Sequence, residues 1–385
     1  MSIYLNIRYL SYILTIILTI FTAFPASGQT TTGDKITFLF TGDIMGHDEQ
    51  IWAAENRETH TYNYDEVFKY IKPVISEADI AIGNFEVTLA GPPYTGYPAF
   101  SSPDQLALAC KNAGFDFLAT ANNHSADKGK RGVIRTINIL DSLGIPHTGT
   151  FLNSSARDTL SPLLIKRNGK SIALLNYTYG TNGIKVAEPV IINMLDKGKI
   201  TSDIIKAQEK NADLIILFLH WGTEYDTIPS KSQTDLAEYF FSAGADIIIG
   251  SHPHVIQKMV WMKSTDGVKD RLIAYSLGNF VSNQRKTRTD GGTIIRIEIT
   301  WYGETFKITN AGYYLSWVYT PLENSRQKFY ILPCSEFENR EAFFSRREDY
   351  LKMKKFMKNS RALLYNQNKA IHEYIFNGNS WLLNN

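Results

Sequence analysis

The chain is long enough to bury a large core, and its charges nearly balance. Its 385 residues carry 40 Lys and Arg against 38 Asp and Glu, which gives a formal net charge of +2. A near-neutral protein has no global basic field to attract nucleic acid, and an apolar content of 44% excludes a disordered chain. The length allows one large α/β domain or two smaller ones.

Residues 1–28 have the features of a secretory signal peptide. Arg8 precedes an apolar run that reaches Phe21, and small residues follow at positions 26–28. A positive start, a short apolar stretch and small residues are typical of an exported protein. The run is short for a membrane-spanning helix, but an uncleaved anchor is the alternative. We therefore expect secretion across the cytoplasmic membrane to the periplasm or cell surface, with or without a membrane anchor.

Apolar, β-branched runs alternate with segments of helical periodicity between residues 35 and 300, which predicts an α/β fold with buried strands. The predicted strands are residues 36–40, 78–82, 115–119, 171–177, 214–219, 245–249, 272–275 and 292–300. The predicted helices are residues 65–77, 103–113 and 233–243, together with a helix that follows Gly129 and ends at Leu143.

The two cysteines, Cys110 and Cys334, are far apart and lie in dissimilar contexts. A disulfide is permitted outside the cytoplasm, but the spacing does not require one. We expect Cys110 to pack in a helix and Cys334 to lie in a late loop.

From about residue 336 onward, basic and apolar residues interleave with helical periodicity. We therefore predict a basic helical extension over residues 321–385. A helix packed on the domain with a solvated charged face is one interpretation, and contact with a membrane surface or an anionic polymer is the other.

Polar side chains of the metal-ligating type follow five of the predicted strands. They are Asp43, Asn84 with Glu86, Asn123 with His124, His220, and His252 with His254. In strand–helix–strand folds the active site lies beyond the carboxyl ends of the strands, so we expect these side chains to converge. Their mixture of carboxylate, amide and imidazole suits Zn, Mn or Fe rather than an all-oxygen calcium site.

Each of these residues also has a purely structural interpretation when it is taken alone. Asp43 follows Thr-Gly and could cap a turn. Glu86 could accept backbone N–H groups in a loop, Asn123 could cap a helix, and His220 could simply pack beside Trp221. The repetition of the same pattern at five strand ends favours a joint metal site.

The motifs around these residues resemble a known family. They are Gly42-Asp43, Asn84-Phe85-Glu86, Asn122-Asn123-His124-Ser125-Ala126-Asp127-Lys128-Gly129, His220-Trp221-Gly222, Gly250-Ser251-His252-Pro253-His254-Val255 and Ser276-Leu277-Gly278-Asn279-Phe280. Over about residues 35–300 this set resembles the bacterial CapA family of poly-γ-glutamate capsule biosynthesis proteins, a branch of the calcineurin-like metallophosphoesterases. The resemblance implies a four-layer α/β/β/α sandwich over residues 35–320, with a metal centre at the sheet edges.

The resemblance also implies roles for single residues. The implied metal ligands are Asp43, Glu86, Asn123, His220, His252 and His254. His124 would protonate the leaving group. Apart from the resemblance, we expect Asp127 to orient His124 and Asn84 or Asn279 to donate to a developing oxyanion.

One departure from the family pattern concerns the first metal position. The superfamily's Asp-x-His is Asp43-Ile44-Met45 here, so one imidazole is missing, and His47 lies at the wrong spacing to replace it. The resemblance therefore implies one tight site for Mn, Zn or Fe, because the first of the two metal positions is incomplete.

Two functions follow from this resemblance. The first is an exported, metal-dependent hydrolase that acts on a phosphoester or on an amide-linked anionic polymer. The second is a non-catalytic accessory factor for polymer synthesis or export, which would work with membrane-bound synthase or export components. Arg285, Lys286 and Arg288 in a predicted loop suit an anionic ligand, although a plain solvated loop has the same composition.

Overall fold

Two β-sheets of ten and six strands contain most of the strands in the described residues, and helices cover their outer faces. The computed structural model describes residues 34–264 and 269–384, so the predicted signal peptide lies outside the described residues. None of the helices in these two ranges is long and apolar enough to cross a membrane.

The strands in chain order are β1 (Asp34–Ile44), β2 (Glu55–Asn56), β3 (Thr61–Tyr62), β4 (Ile80–Phe85), β5 (Phe117–Ala119), β6 (His147–Thr148), β7 (Thr150–Phe151), β8 (Leu163–Arg167), β9 (Lys170–Thr178), β10 (Ile191–Ile192), β11 (Leu214–His220), β12 (Ile247–Ser251), β13 (Met259–Met262), β14 (Arg271–Ala274), β15 (Asn279–Val281), β16 (Gly291–Tyr302), β17 (Thr305–Tyr319), β18 (Leu322–Glu323), β19 (Arg326–Gln327), β20 (Tyr330–Pro333), β21 (His372–Phe376) and β22 (Trp381–Leu383). The α-helices are α1 (Asp48–Ala54), α2 (Asp65–Phe68), α3 (Lys72–Ile75), α4 (Gln105–Ala113), α5 (Gly129–Ser142), α6 (Ser154–Leu160), α7 (Lys197–Glu209), α8 (Lys231–Ala243), α9 (Cys334–Phe337) and α10 (Arg347–Gln367).

The first sheet has the order β22-β21-β17-β16-β1-β4-β5-β6, with β15 paired to β1 and β20 paired to β17. The second sheet has the order β13-β14-β12-β11-β9-β8. Strands β1, β4, β5 and β6 run parallel in the first sheet, as do β9, β11, β12 and β14 in the second. Parallel pairing brings the carboxyl ends of these strands to one edge of each sheet.

Side chains alternate along the strands and build three apolar layers. Phe40 of β1 and Phe218 of β11 meet between the two sheets, with ring centroids 6.4 Å apart. Leu39, the neighbour of Phe40, packs instead beneath the helices on the outer face of the first sheet. Phe240 of α8 packs with Leu217 on the outer face of the second sheet. The chain therefore has the predicted four-layer α/β/β/α sandwich.

The predicted helix over residues 65–77 is divided into the two short helices α2 and α3. Pro73 lies in the first turn of α3, where its missing N–H leaves no hydrogen bond broken. In the middle of a continuous helix the same proline would remove a hydrogen bond and clash with the preceding turn. The apolar spacing predicted the buried face correctly but could not show this break.

The C-terminal region needs a correction, because it is not only helical. It contains the long helix α10, but β20 and β21 pair with β17, and β22 pairs with β21. Arg361 of α10 forms ion pairs with Glu338 and Glu373 at 2.7 Å each, and Phe356 is buried in the core. The helix is therefore packed on the sheet, while the division of the chain at residue 320 remains a prediction.

Both cysteines are buried and free of disulfides within the described residues. Cys110 lies in helix α4, as predicted. Cys334 opens the short helix α9 directly after strand β20, so its expected position in a loop was wrong. Strand β20 continues the first sheet and carries the following residues into the core.

Candidate metal centre

Strand pairing in the first sheet places three of the polar residues side by side. Asp43 is in register with Asn84 of β4 on one side and with Asn279 of β15 on the other. Its backbone N–H donates to the carbonyl of Gly278 at 3.0 Å. The two backbone segments approach so closely here that a Cβ added at Gly42 would lie 1.8 Å from the carbonyl oxygen of Gly278. Gly42 therefore permits the strand contact that positions Asp43.

The second sheet supplies the imidazoles. His220 ends β11 in register with Ser251 of β12, and His220 Nδ1 lies 2.9 Å from Ser251 Oγ. The next residues form a tight turn in which His252 and His254 have φ of 99° and 57°. Non-glycine residues rarely adopt such conformations, and they persist where the surrounding structure holds them, often at functional sites. His252 and His254 therefore lie where the sequence predicted them, directly after the end of strand β12.

The two sheet edges bring these residues into two overlapping groups of potential metal ligands. One group consists of Glu86, His252 and His254, and the other consists of Asp43, Glu86 and His220. Within each group the ligand atoms lie within 4.8 Å of one another, and all of these residues are buried. Glu86 belongs to both groups and therefore lies at the middle of the cluster.

Several buried polar atoms at this cluster have no hydrogen-bond partner within the described parts of the chain. They are both carboxylate oxygens of Glu86, Nδ1 of His252 and Oδ1 of Asn84. A buried carboxylate without a donor costs several kcal/mol unless a cation compensates it. The donor set and its unsatisfied atoms therefore fit a divalent ion such as Zn, Mn or Fe.

His124 and Asp127 lie next to this cluster as a hydrogen-bonded pair. His124 Nδ1 is 2.8 Å from Asp127 Oδ2, and the backbone N–H of Phe100 donates to the same oxygen at 2.7 Å. The neighbouring Asn123 places its Oδ1 2.8 Å from Nε2 of His220. The structure thus brings the predicted general acid, its orienting carboxylate and the predicted amide ligand to one place.

Comparisons with known proteins show the family of this chain. The family model for the bacterial capsule synthesis protein PGA_cap matches residues 37–284. The chain belongs to this family. It is 32% identical over 277 residues to the capsule biosynthesis protein CapA of Bacillus anthracis, a match that covers 69% of this chain and 64% of that protein. It is 29% identical over 303 residues to the PGA biosynthesis protein CapA of Bacillus subtilis (strain 168), covering 73% of this chain and 72% of that protein.

Solved structures similar to this chain include phosphoesterases. The Haemophilus influenzae NAD nucleotidase NadN is 13% identical with a TM-score of 0.48, and the match covers 89% of this chain and 64% of that chain. The calcineurin-like phosphoesterase YfkN from Bacillus subtilis is 14% identical with a TM-score of 0.44, covering 85% of this chain and 98% of that chain.

In this member of the PGA_cap family, burial sets the charge of the central residues. Burial and the adjacent Asp43 raise the pKa of Glu86 well above its ordinary value, so the carboxylate needs a cation to remain ionised. Burial and the neighbouring imidazoles lower the pKa of His220 and hold that of His252 at about 3. Both imidazoles are therefore neutral near pH 7, which is the form that binds a metal.

His254 differs from these two histidines. Burial lowers its pKa, but the hydrogen bond and charge of Asp43 more than offset burial and raise the pKa above its ordinary value. The carboxylate lies at Nδ1, with Oδ2 of Asp43 at 3.0 Å. Nδ1 of His254 therefore contacts a residue of the first sheet, although His254 itself follows a strand of the second sheet.

Three residues considered from the sequence have other contacts here. Asn84 Nδ2 donates to Asp43 Oδ1 at 2.8 Å, and Asn279 Nδ2 donates to the carbonyl of Thr289 at 2.8 Å. An oxyanion-donor role for either amide therefore remains a prediction. His47 belongs to neither described ligand group; its Nδ1 accepts the backbone N–H of Asn283 at 3.2 Å.

Sequence reasoning missed two tyrosines that flank the cluster. The ring of Tyr179 lies 4.4 Å from that of His252, and the ring of Tyr225 lies 6.3 Å from that of His254. Their side chains are 45% and 46% exposed, so both lie where the cluster meets solvent. The position of Tyr179 in the sequence could have identified it, because it directly follows strand β9 and so lies at the same sheet edge as the cluster.

Proposed function

We propose that this protein is an exported, metal-dependent hydrolase of the phosphoesterase type that acts in capsule or envelope polymer biosynthesis. The observation that carries the proposal is the buried Glu86 carboxylate, which makes no hydrogen bond within the described residues. Its Oε1 lies 3.5 Å from Nε2 of His220 and 3.9 Å from Nε2 of His254. A binding site for a cation is the simplest role for such a group. The His124–Asp127 pair beside it supplies a group for proton transfer.

Different residues would bind the metal and transfer the proton. Glu86, His220, His252 and His254 would hold a divalent ion, with Asp43 and Asn123 as further predicted ligands. A bound divalent ion supplies Lewis acidity and a coordinated water of lowered pKa.

His124 would supply the proton for the leaving group. Its Nδ1–H donates to Asp127, which fixes the orientation of the ring, and the Nε2–H of the protonated ring is the proton that it gives away. As water attacks phosphorus and the bond to the leaving oxygen breaks, that oxygen takes this proton. The ring of Phe100 packs against His124 with centroids 4.6 Å apart and keeps water from that face of the imidazole.

The process assignment comes from the relatives, whose names refer to capsule and PGA biosynthesis. We infer a phosphoester or an amide-linked anionic polymer as substrate, membrane-bound synthase or export components as partners, and no nucleic acid. Lys286 supports an anionic ligand, because its Nζ lies 5.5 Å from the ring centroid of Tyr225 beside the cluster. Arg285 offers less, since its guanidinium is hydrogen-bonded to the carbonyls of Val318 and Ser282.

A second candidate is a non-catalytic accessory factor that uses the same cleft to bind an anionic polymer. Met45 favours this reading, because it stands where the superfamily has an imidazole and is itself buried. A centre with an incomplete ligand set could keep a binding role after losing turnover.

An assay of the purified protein with Mn, Zn or Fe separates the two candidates. We expect hydrolysis of a phosphodiester or of poly-γ-glutamate that depends on the added metal. The variant His124→Ala should lose about 10²–10⁴-fold in kcat and keep its metal, because His124 belongs to neither ligand group. His60→Ala is the matched control, since that side chain is 80% exposed. A metal-free, inactive protein that still binds polyglutamate would favour the accessory role.

A further inference from the structure

Two exposed tyrosine rings lie against different histidines of the candidate metal centre. The ring of Tyr179 lies 4.4 Å from that of His252, and it is stacked on that of His220 with centroids 6.4 Å apart and an interplanar angle of 11°. The ring of Tyr225 lies 6.3 Å from that of His254. Because both tyrosine side chains are exposed, a ligand that reaches these imidazoles from solvent contacts aromatic surface on the way.

Backbone hydrogen bonds tie both tyrosines to the segments that carry the histidines. The N–H of Tyr179 donates to the carbonyl of His220 at 2.9 Å, and the N–H of Tyr225 donates to that of Pro253 at 2.8 Å. Gly222, with a φ of 92°, permits the turn that leads from strand β11 to Tyr225. A tyrosine ring offers a large contact area at a low cost in conformational entropy. The two rings are therefore held in place before a ligand arrives.

One cationic and one anionic side chain lie beside these rings. Nζ of Lys286 is 5.5 Å from the ring centroid of Tyr225, and it has no carboxylate partner within residues 34–264 and 269–384. Glu224 is exposed. Burial, and after it the charge of Glu224, raise the pKa of both Tyr179 and Tyr225, so the Glu224 carboxylate lies near both rings. The surroundings of the two rings therefore carry one charge of each sign.

These two charges distinguish between the two substrate classes of the proposed function. A phosphoester-linked polymer carries a negative charge on each linkage, and Glu224 would repel that linkage as it approached the metal centre. An amide linkage is neutral, and the carboxylates of an amide-linked anionic chain lie on the units beside it. Lys286 attracts such a carboxylate, while planar amides and methylene groups pack on the faces of the tyrosine rings. The charges thus favour the amide-linked chain.

We propose that Tyr179, Tyr225 and Lys286 form a binding subsite for an amide-linked chain whose units carry carboxylates. The chain would pack on the two tyrosine rings and place one of its carboxylates at Lys286. The inference rests on the proposed function for the anionic polymer, and it selects one of the two substrate classes given there. It concerns binding, so it applies to the hydrolase and to the accessory factor alike.

The test compares the binding of two anionic chains of equal length to the metal-loaded protein by equilibrium titration. One is oligo-γ-glutamate, and the other is single-stranded oligothymidylate, whose linkages are phosphodiesters. The variants are Tyr179→Ala, Tyr225→Ala, Tyr225→Phe and Lys286→Gln. Tyr365→Ala and Lys231→Gln are the matched controls, since Tyr365 on helix α10 is 91% exposed and the side chain of Lys231 is 86% exposed. Melting curves show that each variant is folded.

We expect oligo-γ-glutamate to bind more tightly than oligothymidylate. Each tyrosine-to-alanine change should weaken the binding of oligo-γ-glutamate by about 10-fold, whereas Tyr225→Phe should stay within about 3-fold of the wild type. Lys286→Gln should weaken binding by about 2–5-fold and reduce its dependence on salt. Neither control should change the affinity or its salt dependence.

Two results would overturn the inference. They are tighter binding of oligothymidylate, and alanine variants of Tyr179 and Tyr225 that bind oligo-γ-glutamate as well as Tyr365→Ala does. Metal-dependent hydrolysis of a phosphodiester beside either result would leave the proposed function standing. Tyrosine-dependent binding of oligo-γ-glutamate by a protein that hydrolyses neither chain would instead support the subsite and refute the hydrolase.

Discussion

His47 shows how burial changes the charge of a side chain beside the candidate site. Its ring packs against that of Phe100 with centroids 5.4 Å apart. Burial lowers the pKa of His47 to about 4, against 6.5 for an exposed histidine, because a charged ring is poorly solvated there. The hydrogen bonds of His47 are made with Gln50 of helix α1 and with the backbone of Asn283, and none is made with a residue of the two ligand groups.

The metal-free protein should therefore lose stability as the pH falls from about 6.5 to about 4. In this window the unfolded chain binds a proton at residue 47 and the folded chain does not, so the free energy of unfolding rises with pH. His47→Gln should reduce that slope by at most about 1.4 kcal/mol per pH unit, measured by denaturant melts. His60→Gln is the matched control, and an equal slope in wild type and His47→Gln would argue against this account.

At the scale of single elements, the close approach of β1 and β15 is what delivers Asp43 to the site. Gly42→Ala should destabilise the protein by about 1–3 kcal/mol or more, because the added Cβ would meet the backbone carbonyl of Gly278. Backbone atoms cannot move aside as a flexible side chain can. Denaturant melts beside Gly180→Ala provide the comparison, since a Cβ at Gly180 would find open space among the described residues. Equal stability of the two variants would show that the contact is not required.

The sequence predicted the strand ends well, because a buried parallel strand is apolar over its length and polar where it leaves the core. His220 and the turn at His252 were placed in this way. Strand register could not be predicted, because apolar periodicity does not show that Asp43 pairs with Asn279. The flanking position of Tyr179 likewise depends on how the two sheets meet, which is a tertiary contact.

At the scale of the whole molecule, the C-terminal segment completes the first sheet. Residues 372–376 form β21 beside β17, a pairing between distant parts of the chain that the basic helical pattern of this region conceals. Arg361 then links α10 to Glu373 of the same strand at 2.7 Å. A helical pattern predicted α10 correctly but carried no information about these strands.

A chain truncated after residue 320 should therefore fail to fold stably. The truncation removes β20 and β21, both of which pair with β17, and exposes apolar core beneath α10. A chain that ends after Phe376 loses only the edge strand β22 and should remain folded. Cooperative thermal unfolding of the shorter chain, with metal binding retained, would instead support a separate domain that ends near residue 320.

The central claim is that Glu86 holds a divalent ion at the junction of the two sheets. The most direct measurement is the metal content per chain of the wild type and of Glu86→Gln after purification with Mn, Zn and Fe, with melting curves to show that both are folded. We predict about one ion in the wild type and none in Glu86→Gln. A folded wild type without metal, or a Glu86→Gln variant that retains its ion, would contradict the account.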